Sequence, residues 1–122
     1  MSTINVSNLN DGTTTVATTN LTNGSAKAWA NLNGSSFGLR DDFNISTAVD
    51  NGTGNYTLNF SNAFANTNYS AVVTSDDSGS SRAFAQSKTY ATSSFVATMK
   101  RGDTGATVDK DIVIAAVHGD LA

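Results

Sequence analysis

Residues Phe43–Phe60, FNISTAVDNGTGNYTLNF, carry the pattern that decides the fold. Tyr56, Leu58 and Phe60 alternate with Thr57 and Asn59. That period of two belongs to a strand with one face in a core. Upstream, Phe43, Ile45 and Val49 supply the apolar side of a partner strand. Asn51-Gly52 between them is a hairpin signal, because both central positions of a tight turn favour φ > 0. Gly54 allows a longer loop or a bulge at the same place.

Moving towards the N-terminus, Ala26, Ala28, Ala30 and Leu32 fall on one face of an extended segment, with Lys27, Trp29 and Asn31 on the other. The small-residue face suits close packing against another sheet. Trp29, the one tryptophan, reads as a core or subunit-interface residue, with a sugar-stacking platform as the alternative. Residues 1–22 hold few sizeable apolar groups, among them Ile4, Val6, Leu9 and Val16. Two short strands around the Asn10-Asp11-Gly12 turn cannot order themselves alone, so this arm either docks on other chains or is flexible. Residues 23–122 are expected to form the β-sandwich domain.

Towards the C-terminus, Tyr69–Thr74, Arg82–Tyr90 and Ser93–Met99 read as strands, with Phe95, Ala97 and Met99 inward. Phe64 is expected to plug one end of the core. Polar loops lie at Ser75–Ser81 and Lys100–Thr107. Ile112–Val117 is apolar on both sides, which predicts a strand covered on both faces, central in its sheet or at a subunit contact. The expected fold is all-β, an antiparallel sandwich of about seven to nine short strands.

Composition agrees. Ser, Thr, Asn, Gly and Ala dominate, while Glu, Pro and Cys are absent. Ser, Thr and Asn compete with helical backbone bonds. Leu, Ile, Val and Phe make up only about one fifth of the 122 residues, a thin core. No disulfide can reinforce it, so association between copies is the expected reinforcement. The net charge of −3 gives no footprint for nucleic acid. No apolar run reaches transmembrane length and no signal pattern follows Met1, so membrane insertion is not expected. The Asn-x-Ser/Thr triplets are what chance supplies in such a chain.

Chemistry is hard to place here. One histidine, His118, stands near the end, and no serine sits in a nucleophile elbow. Asp41-Asp42 and Asp76-Asp77 are adjacent in sequence and read as solvated loop charges rather than a glycosidase pair. Asp103, Asp109, Asp111 and the Asp76–Ser78 group lack calcium-loop spacing, and His118-x-Asp120 reads as a capping or solvated pair. Arg101-Gly102-Asp103 matches the tripeptide read by integrins but is better explained as a turn between strands. No enzyme activity, no cofactor and no metal site are expected.

Several pieces resemble a recurring module of bacteriophage tail fibres. They are NGSAKAWANLNG (Asn23–Gly34), LRDDFNIST (Leu39–Thr47) and DNGTGNYTLNFSNAF (Asp50–Phe64). The opening MSTINVSNLNDGTTTVATTNL (Met1–Leu21) resembles the start of fibre-like proteins from marine and cyanobacterial phages. The resemblance implies a receptor-binding virion protein, a homotrimer made in the host cytoplasm, with the tail as its expected place in the virion. Its partners would be itself, other tail or capsid proteins, and a host-surface polysaccharide or protein. Family members are often longer, with this module near the tip, so a short tail fibre or tail-tip protein is expected. The alternatives are a capsid decoration or tail adaptor protein, and a lectin-like module. Expected receptor contacts are Asp76, Asp77, Arg82, Tyr90, Arg101 and Asp103. The expected oligomer interface is Trp29, Ile112, Ile114 and Val117.

Overall fold

The strand around Tyr56 sits in the middle of a sandwich. In a computed structural model that describes residues 1–76 and 82–122, the elements run in this order. An arm carries β1 (Asn8–Asn10), β2 (Thr15–Ala17) and a short helix α1 (Thr18–Gly24). The body carries β3 (Ala28–Asn33), β4 (Gly38–Phe43), β5 (Ile45–Asp50), β6 (Asn55–Phe60) and β7 (Ser70–Ser75). It is completed by β8 (Ala83–Ala91), β9 (Ser94–Arg101) and β10 (Val113–His118). Sheet one has the order β4-β3-β10-β7 and sheet two β5-β6-β9-β8, antiparallel throughout. The eight body strands therefore form the expected all-β sandwich. Among the described residues no helix is long and apolar enough to cross a membrane.

The core lies between the sheets. Sheet one contributes Ala28, Ala30, Leu32, Val113, Ala115 and Val117, all buried. Sheet two answers with Tyr56, Leu58, Phe60, Phe95, Ala97 and Met99. Alanines on one side leave room for rings on the other, which is how a chain poor in leucine still fills its interior. Phe64 closes one end, its ring 4.7 Å from Phe60 and 4.6 Å from Tyr69. The chain end joins there through the Phe64–Leu121 bridge, with Ala65 N donating to Asp120 O at 2.8 Å.

Three departures from strict alternation reshape the surface. Arg40 is an extra residue in β4, since Asn31 pairs with Asp41 but Leu32 pairs with Leu39. Its guanidinium bonds Asp111 O at 2.6 Å. A second shift between Ile45 and Thr47 turns Val49 outward and brings Ala48 opposite Leu58. Phe43 also does not start the strand of Ile45. It ends β4, and Asn44 turns the corner at φ 57°, a conformation that Asn adopts more readily than most residues. The Asn44 side chain then ties the corner down, donating to Lys27 O and Asn62 O and accepting from Asn62 N at 2.7 Å.

The expectation for Ile112–Val117 holds for the strand's central position and not for its coverage. β10 is central, between β3 and β7. Only Val113, Ala115 and Val117 point into the core, and Ile112 and Ile114 stand on the uncovered outer side. The arm was expected as two strands followed by a polar connector. Its hairpin is present, but Thr18–Gly24 forms about two turns of helix with no buried residue. Few helix formers are present to favour it. The ends are held by Thr22 Oγ1 on Thr19 O and by Lys27 Nζ, which donates to Thr22 O and Ser25 Oγ.

Candidate functional site

Strand directions sort the connections into two poles. The C-terminal ends of β3, β5, β7 and β9 share one pole. There Val113 pairs with both Leu32 and Ser75, and Asn55 pairs with Thr98. At the opposite pole lie the arm, the Asn44 corner, the Phe64 loop and the β8–β9 turn, joined by Asn44 Nδ2 to Lys27 O and Phe64 N to Thr92 O. The arm and the loop cluster therefore leave the sandwich at opposite ends.

Of the expected receptor contacts, Asp76, Arg82, Arg101 and Asp103 come together at the loop pole. Asp76 Oδ1 accepts from Ile112 N at 3.2 Å, and Arg82 O accepts from Gly102 N at 2.8 Å. Asp77 lies outside the described residues. Tyr90 does not belong to this group. It sits at the arm pole, its ring 5.1 Å from Tyr69 and its hydroxyl on Ser87 Oγ. The reason is topological, because β8 carries Arg82 and Tyr90 to opposite ends of the sandwich.

Arg101-Gly102-Asp103 is a closed turn. Arg101 N donates to Ala106 O at 2.7 Å, and Gly105 N, at φ 70°, donates to Arg101 O. Arg101 Nε faces Asp103 Oδ1 at 3.4 Å without a hydrogen bond of good geometry. Partial desolvation raises the Asp103 carboxyl, but the Arg101 charge and the N–H groups of Asp103 and Thr104 outweigh it and leave the pKa below its usual value. Both side chains remain solvent-exposed, at 38% and 62%, so the pair is a weak one.

The pole is braced from inside. Asp109 Oδ1 accepts from Tyr56 Oη and from Gly54 N, both at 2.7 Å. Gly54 stands at φ 64° against Met99 O and Val108, where a side chain has no room. Burial, then the Asp109 carboxylate, push the Tyr56 phenol well above its usual value. Asp109 is therefore a structural clasp. Among the described residues, no three His, Cys, Asp or Glu side chains gather as a metal cluster would.

The interface residues divide. Trp29 is not a core residue; it is 38% exposed on the outer side of sheet one. Ile112 and Ile114 share that side at 39% and 42%. Val117 is corrected: it is fully buried in its own core and unavailable to another chain. Register adds three residues that the sequence did not mark. Phe43 pairs with Trp29, Trp29 with Ala116, and Ala116 with Val72. Directly paired residues share a face, so Phe43–Trp29–Ala116–Val72 is an apolar row across all four strands. Phe43 is 53% and Val72 62% exposed. Ile114 stands in the adjoining row between Asn31 and Thr74. The signal was present in the alternation of β3 and β7, but the rows could not be read without the pairing.

No protein-family model, curated protein or solved structure matches the chain.

Proposed function

We propose that this chain is a non-enzymatic virion protein, a short tail fibre or tail-tip subunit that assembles as a homotrimer and attaches to the bacterial surface. The observation that carries the reading is the polarity of the molecule. An arm with no core of its own leaves one pole, and the C-terminal ends of four strands gather at the other. That is the layout of a subunit rooted at one end and presenting loops at the other. The apolar row on sheet one supports self-association, because contiguous exposed apolar groups are unusual on a monomer. Attachment would work through loops repeated around a symmetry axis, so that weak single contacts add by avidity. Candidate contacts are Asp76, Arg82, Arg101 and Asp103.

Two measurements test this. Solution mass by analytical ultracentrifugation is expected at three times the chain mass, and a monomer at all accessible concentrations overturns the assembly. Labelled protein is then expected to adsorb saturably to host cells. Saturation absent from a folded trimer removes attachment and leaves capsid decoration or a tail adaptor role.

A further inference from the structure

We infer that the arm of one copy covers the outer face of sheet one on the next copy, so that the subunits join arm to face around a ring. This rests on the self-assembly proposed above and specifies its contact. The arm holds an open cavity of about 410 Å³ between its hairpin and its helix, lined by Leu9, Asn10, Asp11, Thr14, Val16 and Leu21. Leu9 and Leu21 remain exposed, as do Ile4 and Val6 before them. On the body, the Phe43–Trp29–Ala116–Val72 row remains exposed as well. Two apolar surfaces of one chain thus both face solvent.

The chain does not cover its own face with its own arm. Lys27 begins the segment that carries Trp29, and its Nζ is bonded to Thr22 O and Ser25 Oγ at the end of α1. Ser25 N also donates to Leu21 O at 3.2 Å. These bonds fix the helix end to β3, and with them in place both apolar surfaces stay open.

Area decides between the two ways of pairing copies. Four strands spaced about 4.8 Å apart, with six residues rising about 3.3 Å each, make a face roughly 20 Å on a side, or on the order of 400 Å². A stable interface takes about 800 Å² from each partner. Two faces stacked on each other reach half of that and leave both arms in water. With the arm laid on the neighbour's face, each copy buries its face once and its arm once, and the area per copy about doubles. The cavity takes a ring from the row, Trp29 or Phe43. The contact joins two different patches, so it is met head to tail in a closed ring or by two copies exchanging arms about a two-fold axis, and the trimer proposed above selects the ring.

Two full-length variants test this by complementation. Leu9→Asp disables the arm and Val72→Asp disables the face, both at exposed positions. Each alone is expected at monomer mass, with an unchanged circular dichroism spectrum. Mixed one to one they are expected to form a heterodimer and stop there, since the first variant keeps an intact face and the second an intact arm. Trp29 gives a second reading. Leu9→Asp is expected to shift its emission to the red and raise its access to a neutral quencher, with partial recovery on mixing. If Leu9→Asp keeps the wild-type mass, the copies meet without the arm and the inference fails while self-assembly stands. If the mixture stays monomeric, it fails too. A monomeric wild-type protein removes both. Should either variant fold poorly, Leu21→Lys and Ile114→Asp replace them on the same two surfaces.

Discussion

The outer faces of the two sheets lie over one core and carry differently ordered rows. On sheet one, Phe43, Trp29, Ala116 and Val72 make an unbroken apolar row. On sheet two, the row of the same direction reads Val49, Thr57, Val96 and Lys88. Each apolar residue there is followed by a polar or charged one. The neighbouring positions hold side-chain hydrogen bonds, with Asn51 on Thr57 at 2.7 Å, Thr98 on Asn55 at 2.9 Å and Asn59 on Thr47 at 3.0 Å. Sheet two spends its Asn and Thr on itself along these rows, with Thr98 buried and Phe84, 66% exposed, standing apart at the loop-pole end. Sheet one leaves apolar area that another surface can remove from water. The contrast shows that amino-acid composition does not decide which side of such a sandwich associates. The placement of the same residue types by strand register does.

The largest effect should come from one charge placed on each face in turn. Trp29→Asp is expected to weaken self-association by roughly 30-fold or more, the scale of losing about 2 kcal/mol from a central aromatic contact. Thr57→Asp, the same charge on sheet two, is expected to leave the mass distribution unchanged in sedimentation velocity. Equal effects from the two would erase the distinction between the faces.

The next effect concerns the corner that holds the faces together. Asn44→Ala removes four side-chain hydrogen bonds and keeps a Cβ at φ 57°. It is expected to cost about 1–3 kcal/mol of stability in urea unfolding. Asn44→Gly relieves the backbone but not the bonds, and should fall between. If Ala and Gly behave alike, backbone strain plays no part at the corner.

Much of the interior was legible in the sequence. Tyr56, Leu58 and Phe60, and likewise Phe95, Ala97 and Met99, alternate strictly and point inward as the pattern requires. Legibility fails where an extra residue or a positive φ breaks the period. Val49 sits past the shift near Ile45, and Tyr90 follows Thr89 at φ 51°. It fails again for Trp29. The alternation of β3 shows two faces but not which of them is inside, and small alanines win the interior only because sheet two supplies the rings. Which loops share a pole is set by strand pairing over long separations, so Tyr90 was grouped with residues at the other end. The arm cavity depends on Leu21 standing on a helix that propensity gave no reason to expect.

A smaller effect tests whether the loop pole is rigidly joined to the core beneath both faces. Tyr56→Phe removes the hydroxyl that Asp109 accepts and should cost about 1–2 kcal/mol. The phenol's folded pKa lies above its unfolded value near 10, so the neutral form is favoured in the folded state. Its contribution is full below pH 10 and declines as pH rises from there towards the folded pKa. Wild-type stability is expected to fall more steeply above pH 10 than that of Tyr56→Phe, measured by chemical denaturation at a series of pH values. Parallel curves would mean that Tyr56 is not the titrating group. Tyr69, whose phenol burial pushes up to about 12, declines over the same range and is common to both proteins.

The smallest effect asks what keeps sheet two from associating. Thr57→Val joins Val49 and Val96 into three adjacent valines and frees the Asn51 amide. Asn51 lies at an exposed turn, where water replaces its lost partner. The change in stability should therefore stay below about 1 kcal/mol, since β-branched Val also suits a strand. If Lys88 at the β8 edge is the effective guard, the variant keeps the wild-type mass, because burying the row still means desolvating an ammonium group. If instead the mass rises, the Thr57 hydroxyl was the guard. Thr57→Val together with Lys88→Val completes the test, since association that appears in the double variant and not in Thr57→Val alone assigns the guard to the charge. That outcome would place the difference between the faces in one edge lysine and one register position rather than in the bulk polarity of a sheet.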